Sequence, residues 1–71
     1  MTDERDPRLD PRPGDVTRGP EGADYIVVMR EGETVHCMRV SAEGYLDEVT
    51  DLETWREFSG DDEVLMVWDN E

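Results

Sequence analysis

The sequence contains neither lysine nor glutamine, and it has one cysteine and one histidine. The lone Cys37 excludes an intramolecular disulfide, and with His36 as the one imidazole the two are too few for a zinc site. Adjacent residues of a strand point to opposite faces, so the Cys37 thiol and the His36 imidazole are not expected to form a catalytic pair. We therefore expect a protein that is not an enzyme and has no catalytic, cofactor-binding or metal-binding residues.

Long hydrophobic runs are also missing. The two longest, "YIVVM" (25–29) and "VLMVW" (64–68), are far shorter than the ~20 apolar residues that span a bilayer. The N-terminus has no apolar core of the kind found in signal peptides. These features predict a cytoplasmic protein that does not bind a membrane.

Positive charge is scarce, because seven arginines face twenty acidic residues and the net charge is −13. Residues 1–20 hold four arginines and five acids, whereas residues 21–71 hold three arginines and fifteen acids. Direct binding to nucleic acid needs a basic surface that replaces counterions, so it is not expected. The composition fits GC-rich codon usage or a high-salt cytoplasm. Carboxylates of 61–63 with Asp47 and Glu48 offer a minor alternative, a hard-cation site.

The N-terminal segment repeats a short motif in "DPRLDPRPGD" (6–15), and all four prolines lie within residues 1–22. We predict a proline-rich strap over 1–22, with one short strand near 15–18, in front of a small acidic β domain over 23–71. Three interpretations of this strap stay open. It is disordered, it folds back so that its arginines pair with the acidic domain, or it docks onto a partner, for which Arg8 and Arg12 are candidate contact residues.

The domain itself has the pattern of short strands followed by a helix. "ADYIVVMR" (23–30) and "TVHCMRVS" (34–41) predict a hairpin, and "YLDEVT" (45–50) a third strand. Thr50 and Glu53 have the spacing of a capping box, and Leu52, Trp55 and Phe58 lie on one side of a helix over about 51–59 that Gly60 ends. "VLMVWD" supplies the last strand. We predict a mainly β (α+β) fold: a small SH3-like barrel or a strongly bent antiparallel sheet, or else a three-stranded meander with the helix on one face.

Two motifs carry a resemblance to known proteins. "DPRPGD" (10–15) before a hairpin and "LETWREF" (52–58) before an apolar last strand resemble small uncharacterised bacterial and phage proteins that have a Pro-Gly-Asp turn and a Trp-Arg helix. The resemblance implies a compact barrel-like accessory domain and supplies no catalytic residue.

The aromatic residue near the C-terminus suggests how such a domain functions. Trp68 ends the apolar strand, where complete burial is difficult, and tryptophan recurs in binding hot spots, so Trp68 is a candidate partner contact. An apolar strand at a sheet edge also offers backbone groups to a partner strand. We therefore expect a non-enzymatic interaction module that binds a protein partner or forms a homo-oligomer. The alternative is an inhibitor that mimics DNA, in which Glu31 and Glu33 have phosphate-like spacing if the turn between them is extended.

Overall fold

The computed structural model describes residues 5–68, which form five strands and one helix in a single antiparallel sheet. In chain order these are β1 (Val16–Arg18), β2 (Asp24–Glu31), β3 (Thr34–Ser41), β4 (Gly44–Asp51), α1 (Leu52–Ser59) and β5 (Glu63–Met66). The order of strands across the sheet is β4-β3-β2-β1-β5. The prediction of a mainly β fold with one short helix before the last strand is confirmed.

The sheet is open rather than closed into a barrel. Among the described residues β4 is paired with β3 alone and β5 with β1 alone, so these two strands form the edges. β2 and β3 are joined by a two-residue turn in which Gly32 has φ +59°, a conformation that glycine adopts without a steric penalty. Because the chain reverses there, Glu31 and Glu33 are not successive residues of one extended strand, and the spacing expected of a DNA mimic is not formed at this position.

The helix begins one residue later than its sequence signal indicates. Asp51 is the N-cap residue, and its Oδ1 accepts a hydrogen bond of 2.8 Å from the backbone N–H of Thr54. The capping box predicted for Thr50 and Glu53 is therefore wrong, since Thr50 still belongs to β4. Gly60 is the C-cap residue, as expected, in a right-handed conformation. Within the part of the chain that is described, no helix is long and apolar enough to cross a membrane.

The core lies on one side of the sheet, here called the covered face and defined by the buried Thr17, Tyr25, Val27, Val35 and Cys37. The helix packs on this face through Leu52 and the fully buried Trp55. The Phe58 ring closes the cluster, 5.3 Å from the Trp55 ring and 5.5 Å from the Tyr25 ring between centroids. Leu52, Trp55 and Phe58, which the sequence places on one side of the helix, thus all pack against the covered face.

Residues 5–22 are the described part of the strap: the part before β1 folds back over the helix, and Val16–Arg18 form β1 of the sheet itself. Side chains of α1 donate hydrogen bonds of 2.8–3.0 Å to three consecutive strap carbonyls: Trp55 Nε1 to Pro7, Ser59 Oγ to Arg8 and Arg56 Nε to Leu9. Pro7 and Pro11 are fully buried. Because donors from the helix satisfy the strap backbone, the strap forms part of the layer that covers the sheet.

Candidate functional site

The face of the sheet opposite the core, here called the open face, is apolar at its centre. Its central row consists of side chains that are neighbours on adjacent strands: Met66 on β5, Val16 on β1, Ile26 on β2 and Met38 on β3. A second row consists of Met29, His36 and Val49. Since paired residues of antiparallel strands project to the same side, the two rows form one continuous surface.

Solvent reaches much of this surface. Val49 is 63% exposed, Met66 50% and Met29 45%, while Ile26 and Met38 are half-buried by their neighbours in the sheet. The helix and the part of the strap before β1 lie on the covered face, so neither covers these side chains. A contiguous apolar patch of this kind is typical of a surface that binds another protein.

A bulge in β2 enlarges the apolar patch. The pairing of β2 with β3 shifts between Val27 and Met29, which places an additional residue, Val28, in the strand. Met29 consequently pairs with His36 on the open face instead of alternating back to the covered face. Val28 is itself 53% exposed. Bulges re-aim side chains in this way, and here the result is one more methionine on the open face.

Charged rows border the apolar centre at both ends. One row begins with Glu63, Arg18 and Asp24 and continues with the uncharged Val40 and Tyr45. The other row is Glu31, Thr34 and Asp51, and Asp47 ends the central row on β4. Arg18 is engaged by Asp24, with 2.8 Å between Nε and Oδ1. The border is therefore mainly acidic.

The edge strand β5 and the residues after it extend the exposed apolar surface. Leu65, Val67 and Trp68 are 40%, 42% and 51% exposed. The Trp68 backbone is fixed, because its N–H donates to Asp15 Oδ1 at 2.8 Å and its carbonyl accepts from Arg5 Nη2 at 2.7 Å. The apolar strand "VLMVW" thus lies at a sheet edge, the position that strand addition to a partner requires.

The buried Asp15 carboxylate ties the two ends of the described chain together. It is fully buried and forms an ion pair with Arg5, and it also accepts a hydrogen bond of 2.8 Å from the backbone N–H of Arg12. The Trp68 ring lies against Gly14, where an added Cβ would be 2.7 Å from Trp68 Cγ. The half-exposed Trp68 side chain is therefore held by the strap.

Arg8 and Arg12, the two arginines proposed as partner contacts, bind the strap's own aspartates. Arg8 Nε lies 3.1 Å from Asp6 Oδ1, and Arg8 Nη1 donates to the Asp62 carbonyl at 3.2 Å. The side-chain hydrogen bond from Arg8 holds the pKa of Asp6 below its usual value. Arg12 lies 3.4 Å from Asp10 and is 61% exposed. Arg12 is thus the more accessible of the two.

The arrangement of charge divides the molecule. Ion pairs of Arg5, Arg8, Arg12 and Arg30 all involve aspartates of the strap. By contrast, no ion pair within residues 5–68 involves the acids of β4 or of α1. The strap side of the molecule is close to neutral, and the strongly anionic side carries β4 and the outer surface of the helix.

The two reactive side chains of β3 point to opposite faces, as predicted. Cys37 is buried on the covered face, and burial raises the pKa of its thiol to about 11, so the reactive thiolate is strongly disfavoured at neutral pH. His36 lies on the open face beside Met29 and Val49. The suggested carboxylate site is not formed, since among the described residues no group of three or more His, Cys, Asp or Glu side chains is placed to hold a metal ion.

Sequence reasoning missed the open face, although a signal for it exists. β2 and β3 carry apolar residues at both alternating positions, for example Val27 and Ile26, or Cys37 and Met38. A chain with a single short helix has material to cover one face only. Strands that are apolar on both sides therefore indicate an uncovered apolar face.

Comparison of the chain with protein-family models, with curated proteins and with solved structures gives no match. The resemblance of "DPRPGD" and "LETWREF" to small bacterial and phage proteins stays a prediction.

Proposed function

We propose that this protein is a non-enzymatic interaction module that binds a protein partner through the open face. The observation that carries the proposal is the row of cross-strand neighbours Met66, Val16, Ile26 and Met38, which is apolar across four strands. Neither the helix nor the part of the strap before β1 covers this row. Burial of such a surface is worth roughly 25 cal/mol per Å² of apolar area removed from water. An apolar centre with a polar border is the usual anatomy of a protein interface.

The partner we propose presents an apolar surface bordered by basic side chains. Asp47, Glu31 and Glu63 lie around the open face, and basic groups opposite them would be attracted during association. A second copy of the chain fits less well, because both copies would carry a net charge of −13 and would repel each other at low salt.

A defined probe tests the proposal. A 14-residue amphipathic helix of leucine and lysine is titrated into the isotopically labelled protein in 0.1 M and 1 M potassium chloride, with a leucine–glutamate helix of the same length for comparison. We expect the basic peptide to bind more tightly and to shift the amide resonances of Ile26, Met38 and Met66. Apolar contact keeps part of the affinity at 1 M salt, where the screening length falls to about 3 Å.

Two variants with the same change of charge locate the site. Val49→Glu places a carboxylate on the open face, whereas Leu9→Glu does so on the strap, where Leu9 is 54% exposed. We expect Val49→Glu to weaken peptide binding about tenfold and Leu9→Glu to leave it within twofold, since a buried charge without a partner costs well over 1 kcal/mol. Equal losses in the two variants would contradict the proposal. A dimer seen by light scattering and abolished by Val49→Glu would replace the basic partner with a second copy.

A second candidate function, inhibition of a nucleic-acid-binding enzyme by mimicry of DNA, is supported by the division of charge. Arg5, Arg8 and Arg12 of the strap bind the strap's own aspartates, and no ion pair within residues 5–68 involves the carboxylates of β4 and α1. These carboxylates include Glu48, Glu53 and Glu57. Such a mimic binds basic clefts strongly at low salt and is released as salt rises. Peptide binding that vanishes entirely at 1 M salt and is lowered by Glu53→Gln and Glu57→Gln, but not by Val49→Glu, would favour this function over the first.

A further inference from the structure

A cavity of about 240 Å³ lies on the covered face, away from the open face, where the end of the helix meets the loop between β1 and β2. Its walls combine Pro20 and Phe58 with the Tyr25 hydroxyl and three carboxyl groups, those of Glu21, Glu48 and Asp62. Tyr25 Oη donates to Glu21 Oε2 at 3.2 Å. An apolar wall facing carboxylates is suited to a ligand that has both an apolar part and a positive charge.

Asp62 sets this cavity apart from an ordinary acidic surface. The residue is 3% exposed, and its Oδ2 accepts a hydrogen bond of 3.0 Å from Thr17 Oγ1. Its Oδ1 is buried and has no hydrogen-bond partner among the described residues. Buried polar atoms are nearly always hydrogen-bonded, so an unpaired oxygen on a residue that lines the cavity points to a donor that a ligand supplies.

The electrostatics of the cavity favour a cation. Burial raises the pKa of Asp62 more than the hydrogen bond from Thr17 lowers it, and the nearby carboxylates of Glu21 and Asp61 raise it further. A positive charge at Asp62 would therefore be stabilised. One cation is already close, because Arg39 interacts with Tyr25, Glu21 and Glu48, so Arg39 offsets part of the negative charge of the two glutamates.

The chemistry of the walls narrows the class of cation. Residues 5–68 offer no group of three ligating side chains for a metal ion, and the cavity holds far more than a single ion. The Phe58 ring is 37% exposed, and aromatic faces attract ammonium groups as well as alkyl chains. An alkyl chain against Pro20 and Phe58 with its charged end at Asp62 would satisfy both kinds of wall.

We propose that this cavity binds an alkylammonium group, of the kind that ends a lysine side chain or a free aliphatic diamine. The ammonium donates to the orphan Asp62 Oδ1, while the methylene chain packs on Phe58. The site is separate from the open face, so failure of one proposal leaves the other standing.

The test is a titration of the labelled protein with n-butylammonium chloride, with n-butanol as the neutral analogue of the same chain length. We expect saturable shifts in the amide resonances of Glu21, Phe58 and Asp62 with the ammonium and none with the alcohol. Equal responses to the two compounds, or shifts that rise linearly without saturation, would overturn the proposal.

Three substitutions that each remove one negative charge sharpen the test. Asp62→Asn is expected to weaken n-butylammonium binding about tenfold, the loss of one charged hydrogen bond, and Glu48→Gln to weaken it less. Glu53→Gln, on the exposed side of the helix, is the matched control and is expected to leave binding unchanged. If Asp62→Asn does not fold, the affinities of Glu48→Gln and Glu53→Gln for n-butylammonium are compared instead. The proposal then requires weaker binding by Glu48→Gln than by Glu53→Gln. Equal weakening by all of the variants would mean general charge attraction and would overturn the site.

The source of the ammonium group is resolved by two further probes, Nα-acetyl-lysine methylamide and 1,4-diaminobutane. Tighter binding of the lysine derivative supports the site and assigns it to a polypeptide. Tighter binding of the diamine supports the site and assigns it to a small molecule. Saturation by neither overturns the proposal.

Discussion

The two faces of this sheet have similar side chains and different environments. Val27 on the covered face is 1% exposed, whereas Val49 on the open face is 63% exposed, although both are valines of eight-residue strands. The difference arises because the helix and the strap form a single layer, and one layer covers one side of a sheet. The comparison teaches that hydrophobicity alone does not decide which residues form the core. The segments available to cover the sheet decide it.

The largest expected effect comes from removing the centre of the covered face. Trp55→Ala deletes a fully buried side chain and its 2.9 Å hydrogen bond to the Pro7 carbonyl. Such truncations cost about 3–5 kcal/mol, much of the stability of a domain this small, and we expect a largely unfolded protein by circular dichroism. Trp55→Phe keeps most of the apolar area and is expected to stay folded with reduced stability. A cooperative urea transition in Trp55→Ala at the wild-type midpoint would show that the helix does not hold the covered face.

The next effect separates the strap from the rest of the molecule. Asp15→Ala removes the buried carboxylate that forms an ion pair with Arg5 and accepts from the Trp68 N–H. We expect a loss of about 3 kcal/mol in urea unfolding, as for a broken buried ion pair. Asp10→Ala is the matched control, because Asp10 also pairs with arginines but is 43% exposed, and exposed pairs contribute about 1 kcal/mol or less. Similar losses in the two variants would mean that burial of the Asp15 carboxylate does not matter.

A matched pair of valine substitutions tests the comparison of faces directly. Val27→Ala leaves a cavity in the core and is expected to cost about 2 kcal/mol. Val49→Ala removes exposed atoms and is expected to change the free energy of unfolding by less than about 0.5 kcal/mol. The two free energies are measured by urea denaturation followed by tryptophan fluorescence. If Val49→Ala is as costly as Val27→Ala, the open face is covered in solution, and light scattering then reports whether a second copy covers it.

The smallest effect concerns pH and Asp62. Its pKa is raised in the folded protein above the ordinary value of 3.8, so the native state holds this proton more tightly than the unfolded chain does. Stability from this group is present at low pH and is lost as pH rises through the native pKa. We expect the stability of Asp62→Asn relative to the wild type to improve by about 1 kcal/mol between pH 4 and pH 7, in line with the cost of an unsatisfied buried group. If the difference in unfolding free energy between Asp62→Asn and the wild type does not vary with pH, the raised pKa of Asp62 is contradicted.

The helix illustrates how far local sequence signals extend. The spacing of Leu52, Trp55 and Phe58 identified the helix and its buried side, because a period of 3.6 residues is a property of the chain itself. Its N-cap was misassigned, since Thr50 and Asp51 are both good capping residues. The pairing of Thr50 with Val35 on β3 keeps Thr50 in the strand and leaves the cap to Asp51, a choice that depends on a contact between segments.

The candidate site was less accessible to prediction than the fold. The sequence predicts that complete burial of Trp68 is difficult, but it leaves open whether the apolar strand lies at an edge. It does not predict that Met66, Val16, Ile26 and Met38 form one surface. Their contiguity depends on strand order and register, with β1 placed between β2 and β5. Asp62 was likewise seen as part of an acidic run, and its burial follows from the position of Thr17 on β1.

The sequence by itself determined the short strands, the single helix, the absence of a disulfide and the excess of negative charge, because periodicity, turn residues and composition act locally. The tertiary structure decided which face of the sheet is covered, that three of the strap's arginines bind the strap's own aspartates, and where Asp15 and Asp62 are buried. These features depend on which distant segments meet. The same apolar strand or carboxylate is core, surface or binding site according to what packs against it.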